Sequence, residues 1–256
     1  MRLALVAALT LLALPSAGHA QTADEGWRLS QLTLYGWLPG MTGAKQFPQR
    51  GPSVDLDGGD VLDALQLAFF GTAEFRNRRF GIVFDLAYAD LGQDGQARGA
   101  LIPGGIPASA SVDTTLLMAT AVAAYRFAER PGGWADVYGG LRLTDVSADV
   151  SVSIPNIGFA ASRSASVDWV DAIVGVRGRM AIDDRWSVTG LADVGGFGIG
   201  ASSHLTWQLQ GTVDYAFTER VIGRLGYRHM SVDYRGSGLG IDVDMHGPVI
   251  GVTRTF

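Results

Sequence analysis

The chain has 256 residues, with 20 Lys and Arg against 25 Asp and Glu and a formal net charge of −5. That balance gives a nucleic-acid partner no electrostatic footing, and the absence of cysteine leaves neither disulfides nor thiolate metal sites. Glycine is abundant, at 35 residues, and charged residues make up only 18%, a composition compatible with a membrane.

Met1 and Arg2 form a short basic start, Leu3–Leu14 is an apolar stretch, Pro15 breaks it, and Gly18-His19-Ala20 supplies small residues. This order predicts a secretory signal peptide over residues 1–20, cleaved after Ala20. The apolar stretch is shorter than the roughly 20 residues of a membrane helix. Residue 21 is Gln rather than Cys, so no lipid anchor is expected there. Residues 21–256 read as a single domain, without a linker. No later segment is long and apolar enough for a membrane helix. Helices and closed barrels are the only structures that satisfy every backbone group in lipid, so a barrel remains.

Period-2 alternation predicts ten strands of the length that crosses a bilayer. They are 28–39, 67–76, 80–91, 111–127, 135–149, 164–180, 186–197, 204–217, 221–234 and 241–256. Short connections (77–79, 129–133, 182–185, 218–220) alternate with longer ones, of which 40–66, 92–110 and 150–163 are rich in Gly, Pro, Ser and Asp. Short turns on one side and long loops on the other are the habit of transmembrane barrels. The expected fold is therefore all-β, an antiparallel up-and-down transmembrane β-barrel. Ten strands put both termini on the short-turn side; eight or twelve follow if one hairpin is split or merged. Within the first loop, Asp60–Leu65 is expected to make one helical turn with Asp60 as N-cap.

The alternation assigns faces. On 204–217, Leu205, Trp207, Leu209, Val213 and Tyr215 point to lipid, while Gln208, Gln210, Thr212 and Asp214 point inward. On 80–91, Phe80, Ile82, Phe84, Leu86 and Tyr88 point out and Asp85 in. On 164–180, Val170, Ala172, Val174 and Val176 face out, which turns Asp171, Arg177 and Arg179 inward. Leu225 and Tyr227 facing out turns Arg224 and Arg228 in, and the same parity places Glu74, Arg126, Arg142 and Asp193 inside. A lipid-facing charge costs about 2–4 kcal/mol at the midplane, so the phase is strongly selected. Several strands are twice the ~5–6 residues usual in soluble sheets. Trp27, Tyr35, Trp37, Tyr125, Phe127, Trp134, Trp186, Phe217 and Phe256 lie near strand ends, where interfacial aromatic girdles are expected. The last strand needs a phase change if Asp242, Asp244 and His246 are to face inward with Ile241, Val243 and Met245 outward; a bulge is expected at Gly247-Pro248.

The inward acids and arginines have two readings. Arg–carboxylate ladders fill the lumen and hold register, as suits a narrow barrel and the bidentate guanidinium, or they form the selectivity lining of a small pore. Asp242-x-Asp244-x-His246 with His229, and less so Ser203-His204, are the candidates for a hydrolytic rim site, although Ser203 and His204 are strand neighbours whose side chains diverge. Gly195–Gly200 has no helix after it and is no dinucleotide loop. Asp55, Asp57, Asp60 and Asp63 lack the order of a calcium loop and read as a solvated acidic segment. No catalytic, cofactor or metal-binding residue is therefore assigned, and no cofactor is expected.

Five stretches together resemble a family of uncharacterised, porin-like proteobacterial outer-membrane barrel proteins. They are Leu34-Tyr35-Gly36-Trp37-Leu38-Pro39-Gly40 with Gly43, Ala192–Gly198, Leu205-Thr206-Trp207-Gln208, Gly226-Tyr227-Arg228 with Val232-Asp233-Tyr234, and Gly247-Pro248 with Gly251 and Phe256. The resemblance implies a Gram-negative outer-membrane location among membrane lipid and lipopolysaccharide. It also implies recognition of the C-terminal strand and its Phe256 by the barrel-insertion machinery. It brings no catalytic residue. A monomer is expected, serving as a structural barrel or small-solute channel. The alternatives are surface adhesion or ligand binding through the long loops, and a rim hydrolase.

Overall fold

A computed structural model describes residues 26–46, 50–98, 107–154, 158–236 and 240–256. The apolar leader lies outside these residues. Among them the chain forms twelve strands and one short helix. The strands are β1 (Arg28–Trp37), β2 (Gly40–Gln46), β3 (Arg50–Leu56), β4 (Leu65–Asn77), β5 (Phe80–Arg98), β6 (Pro107–Arg130), β7 (Gly133–Ile154), β8 (Phe159–Ala181), β9 (Trp186–Gly196), β10 (Leu205–Ala216), β11 (Val221–Arg235) and β12 (Gly240–Thr255); helix α1 is Gly58–Ala64. β1 and β4–β12 pair as successive antiparallel neighbours, and β12 returns to β1 through Gln31↔Thr255 to Trp37↔Val249. The barrel is thus closed with ten strands. β2 and β3 are an added hairpin inside the first long loop, with β2 continuing the sheet along the outer half of β12 from Gly240↔Gln46 to His246↔Gly40.

The outer wall carries the apolar phase. Phe80, Leu209, Leu225 and Ile250 are each between 57% and 67% exposed, far too much apolar surface for water and suited to lipid. Asp136, Asp214, Thr206 and Thr253 are fully buried on the inner face. Trp27, Tyr125, Phe127, Trp186, Phe217 and Phe256 are exposed on the outside at strand ends, where girdle residues belong. Tyr35, Trp37 and Trp134 are not girdle residues. β1 turns Gln31, Thr33, Tyr35 and Trp37 inward, so Trp37 is only 6% exposed, and Trp134 shares the inward parity of Asp136 and Tyr138.

Three further expectations change. The segments 92–110 and 150–163 are not simple loops, because β5 and β6 pair out to Arg98↔Pro107 and β7 and β8 to Ile154↔Phe159. These four strands run 19 to 24 residues, about twice the 9–11 that span a bilayer, and form a wall standing beyond the membrane. The helical turn exists, but its N-cap is Asp57. The Asp57 carboxylate accepts from the N–H of Gly59 (2.7 Å) and Asp60 (2.9 Å), while Asp60 accepts from the Asp57 N–H, a capping box that puts Asp60 at N3. Finally, no bulge interrupts β12. Its register with β11 is unbroken from Val221↔Arg254 to Arg235↔Gly240. Met245 is therefore buried, Val243 and Ile241 pack inward with it, and Asp242, Asp244 and His246 lie on the outer face.

Candidate functional site

The interior divides into a charged half toward the short turns and an apolar half toward the long loops. At the bottom, the Asp136 carboxylate is fully buried and accepts from Arg126 Nε (3.0 Å), Arg177 Nη2 (3.0 Å) and Arg76. Glu74 takes Arg177 Nη1 at 3.0 Å and also Arg76. Beside them the Trp134 ring receives the three guanidiniums, with centroid distances of 4.6 Å for Arg126, 5.4 Å for Arg177 and 5.9 Å for Arg76. Three cations share the Asp136 and Glu74 carboxylates and one π face, with Arg126 also reaching the exposed Glu129 at 3.4 Å, which offsets the cost of desolvating them. Arg179 lies nearby and donates to Ser187 Oγ at 3.1 Å.

Above this layer, Arg142 is 2% exposed and its Nη2 bridges both oxygens of Asp193 (3.1 and 3.2 Å). Asp193 also accepts from Tyr138 O–H (2.9 Å) and from Gln208. Asp214 accepts from Thr212 (2.7 Å) and Thr189, with Arg224 Nε more distant at 3.9 Å. Asp85 is held by Tyr35 O–H (3.0 Å) and Thr72 (2.7 Å). These layers enclose a cavity of only about 160 Å³.

Two of the inward charges behave differently. Asp171 takes no arginine among the described residues; it accepts from Trp169 Nε1 (3.0 Å) and from the Ser203 backbone N–H (2.7 Å), pinning the turn after β9 onto the barrel. Arg228 is 6% exposed and has no carboxylate within ion-pair distance among the described residues; it lies 4.5 Å over the Trp37 ring and reaches Met230 Sδ at 3.7 Å. Arg76, Asp136, Tyr35 and Tyr138 were missing from the sequence-derived interior, although they share the parity of Glu74, Arg142 and Thr33.

Toward the loops the chemistry inverts. A chamber of about 590 Å³ is lined by Trp37, Phe70, Met118, Val146, Trp169 and Met245 and by small inward residues, with Val61 and Ala64 of α1 at its border. Trp169 stacks on Tyr234 at 4.5 Å in the same apolar cluster.

The rim candidates sit outside the barrel. His229 and His246 stack at 5.8 Å, Trp207 stacks on His229 at 4.7 Å, Tyr227 Oη contacts His246 Nδ1 at 2.7 Å, and His229 Nε2 lies 3.5 Å from Asp244. This is an aromatic and imidazole patch at the edge of the apolar belt. Ser203 is fully buried while His204 is exposed, so these two do not pair. No group of three or more metal-ligating side chains occurs among the described residues.

No protein-family model matches the sequence, and neither does any curated protein. Solved structures do resemble the fold. The outer-membrane protease OmpT of Escherichia coli superposes with a TM-score of 0.56 at 11% identity, over 94% of this chain and all of that one. The translocator domain of the autotransporter NalP of Neisseria meningitidis gives 0.43 at 16% identity, over 99% and 96% of the two chains. The attachment invasion locus protein Ail of Yersinia pestis gives 0.34 at 10%, over 89% and 99%. A closed ten-stranded barrel with an apolar outer belt, superposable over its length on the first of these, has the fold of an outer-membrane β-barrel.

Proposed function

We propose that the protein is an outer-membrane barrel whose lumen is shut on its periplasmic half, a structural or ligand-holding barrel rather than an open porin. One contact supports this most directly. Glu74 on β4 and Arg177 on β8 meet at 3.0 Å, although these strands stand four steps apart around a ten-stranded wall. An ion pair between nearly opposite strands crosses the lumen, and Arg76, Arg126, Asp136 and Trp134 fill the space about it. In this reading the leader at residues 1–20 directs export and is removed. The insertion machinery engages the C-terminal strand ending in Phe256, and the barrel works as a monomer among outer-membrane lipid and lipopolysaccharide.

Recording in planar bilayers tests this. The refolded mature chain is expected to show no discrete conductance, and the double variant Glu74→Ala/Arg177→Ala to show steps. Discrete steps in the unaltered protein, with an ion preference inverted by Arg228→Glu, would establish a charge-lined channel instead. Surface binding is a second reading, favoured by the β5–β8 wall that rises beyond the belt. Loss of cell-surface adhesion on removing residues 150–163 would support it.

A further inference from the structure

From the outer half of the barrel we infer that the apolar chamber is a binding site for a small apolar molecule. The inference is independent of whether the periplasmic half conducts. Protein interiors rarely leave voids larger than a water, whereas this chamber, at about 590 Å³, has the size of sites that take small ligands, about 300–1,000 Å³. Its hollowness comes from residue choice. Ala68, Ala87, Ala89 and Ala148 occupy lining positions that larger side chains would fill. Apolar cavities accept apolar guests.

The lining sets the class of the guest. Apart from Thr114, Thr144, Asp55 and Asp242, every residue that lines the chamber is apolar or small, and Trp37 joins it with the indole N–H itself buried. Val61 and Ala64 of α1 border the chamber, so the first loop lies where a guest from the cell exterior arrives.

Methyl NMR of the full mature barrel in micelles, with ¹³C-labelled methionine, tests the assignment using naphthalene as the probe. Met118 and Met245 are buried at the chamber, whereas Met180 is 53% exposed on the lipid face and reports partition into detergent. Saturable shifts at Met118 and Met245, with Met180 unmoved, are expected. Ala148→Trp is expected to abolish them while the barrel keeps its heat-modifiable gel mobility. Shifts that grow linearly and equally at Met180, no shift at all, or shifts that survive in folded Ala148→Trp would overturn the site.

Discussion

Asp136 is the residue on which the charged layer at the short-turn end of the lumen turns. Its carboxylate is wholly buried and takes donors from Arg76, Arg126 and Arg177. Removing it leaves Arg76 and Arg177 to Glu74 and Arg126 to the exposed Glu129, and breaking a buried ion pair in this way costs about 3–5 kcal/mol. Asp136→Ala is therefore expected to lower the urea midpoint of the barrel strongly. Asp244→Ala is the control. It breaks a contact to His229 between side chains 47% and 35% exposed, for which about 0–1 kcal/mol is expected. Equal losses in the two variants would mean that the charged layer is hydrated and weak. Strand parity alone reaches most of this interior, including Glu74, Arg142, Arg177 and Asp193, and reaches Arg76 and Asp136 when the same phase is carried to the strand ends. Parity does not choose partners. Asp171 stands directly opposite Arg142 in the β7–β8 pairing, yet Arg142 reaches past it to Asp193 on β9. Strand tilt and side-chain reach decide such pairings, and neither is written in alternation.

At the scale of the element, β12 shows how a local signal can be read with the wrong consequence. Gly247-Pro248 does mark a discontinuity, but in the neighbour rather than in the strand. Below it β12 pairs with β1, above it with β2. The Pro248 carbonyl accepts from Leu38 N–H at 3.1 Å. In an antiparallel strand the nitrogen of that residue points to the same side, so the missing donor falls in the gap between β1 and β2 and breaks no ladder bond. A Cβ on Gly247 would meet the Leu38 carbonyl oxygen at 2.0 Å. Gly247→Ala is accordingly expected to push β2 off β12, giving faster proteolysis within residues 40–57 while the ten-stranded barrel persists; unchanged cleavage would show that the approach is not tight. The short turn after β8 yields a pH prediction. The backbone N–H groups of Trp186 (2.7 Å) and Arg185 (2.8 Å) donate to the Asp183 carboxylate and hold its pKa below the usual value. A carboxyl depressed in the folded state stabilises the turn fully above its unfolded pKa, about 3.9, and loses that contribution as pH falls through the lower folded value. A carboxyl ¹³C titration should place Asp183 below a free aspartate, and a midpoint at the ordinary value would remove the cap.

The whole molecule separates into a barrel and an attachment. Ten strands close through β1 and β12, while the β2–β3 hairpin joins the wall only through β12 among the described strand pairings. Alternation makes the ten strands legible, because lipid outside and a polar lumen inside impose opposite demands on successive residues. It leaves the chamber illegible. Ala68, Ala87, Ala89 and Ala148 suit either face, and the volume they leave depends on tilt and stagger around the closed wall. The hairpin was equally hidden, since Gly43, Gly51 and Pro52 read as loop chemistry. If the hairpin is an attachment rather than a stave, replacing residues 40–56 with a short Gly-Ser connection should leave a barrel that still closes and keeps its heat-modifiable mobility. The chamber would lose its cover on that side. Met118, now 3% exposed, should then broaden when a soluble gadolinium chelate is added, whereas in the intact protein it should not. Failure of the shortened chain to close would make the hairpin part of the folding unit; closure with Met118 still shielded would assign the cover to the β5–β8 wall alone.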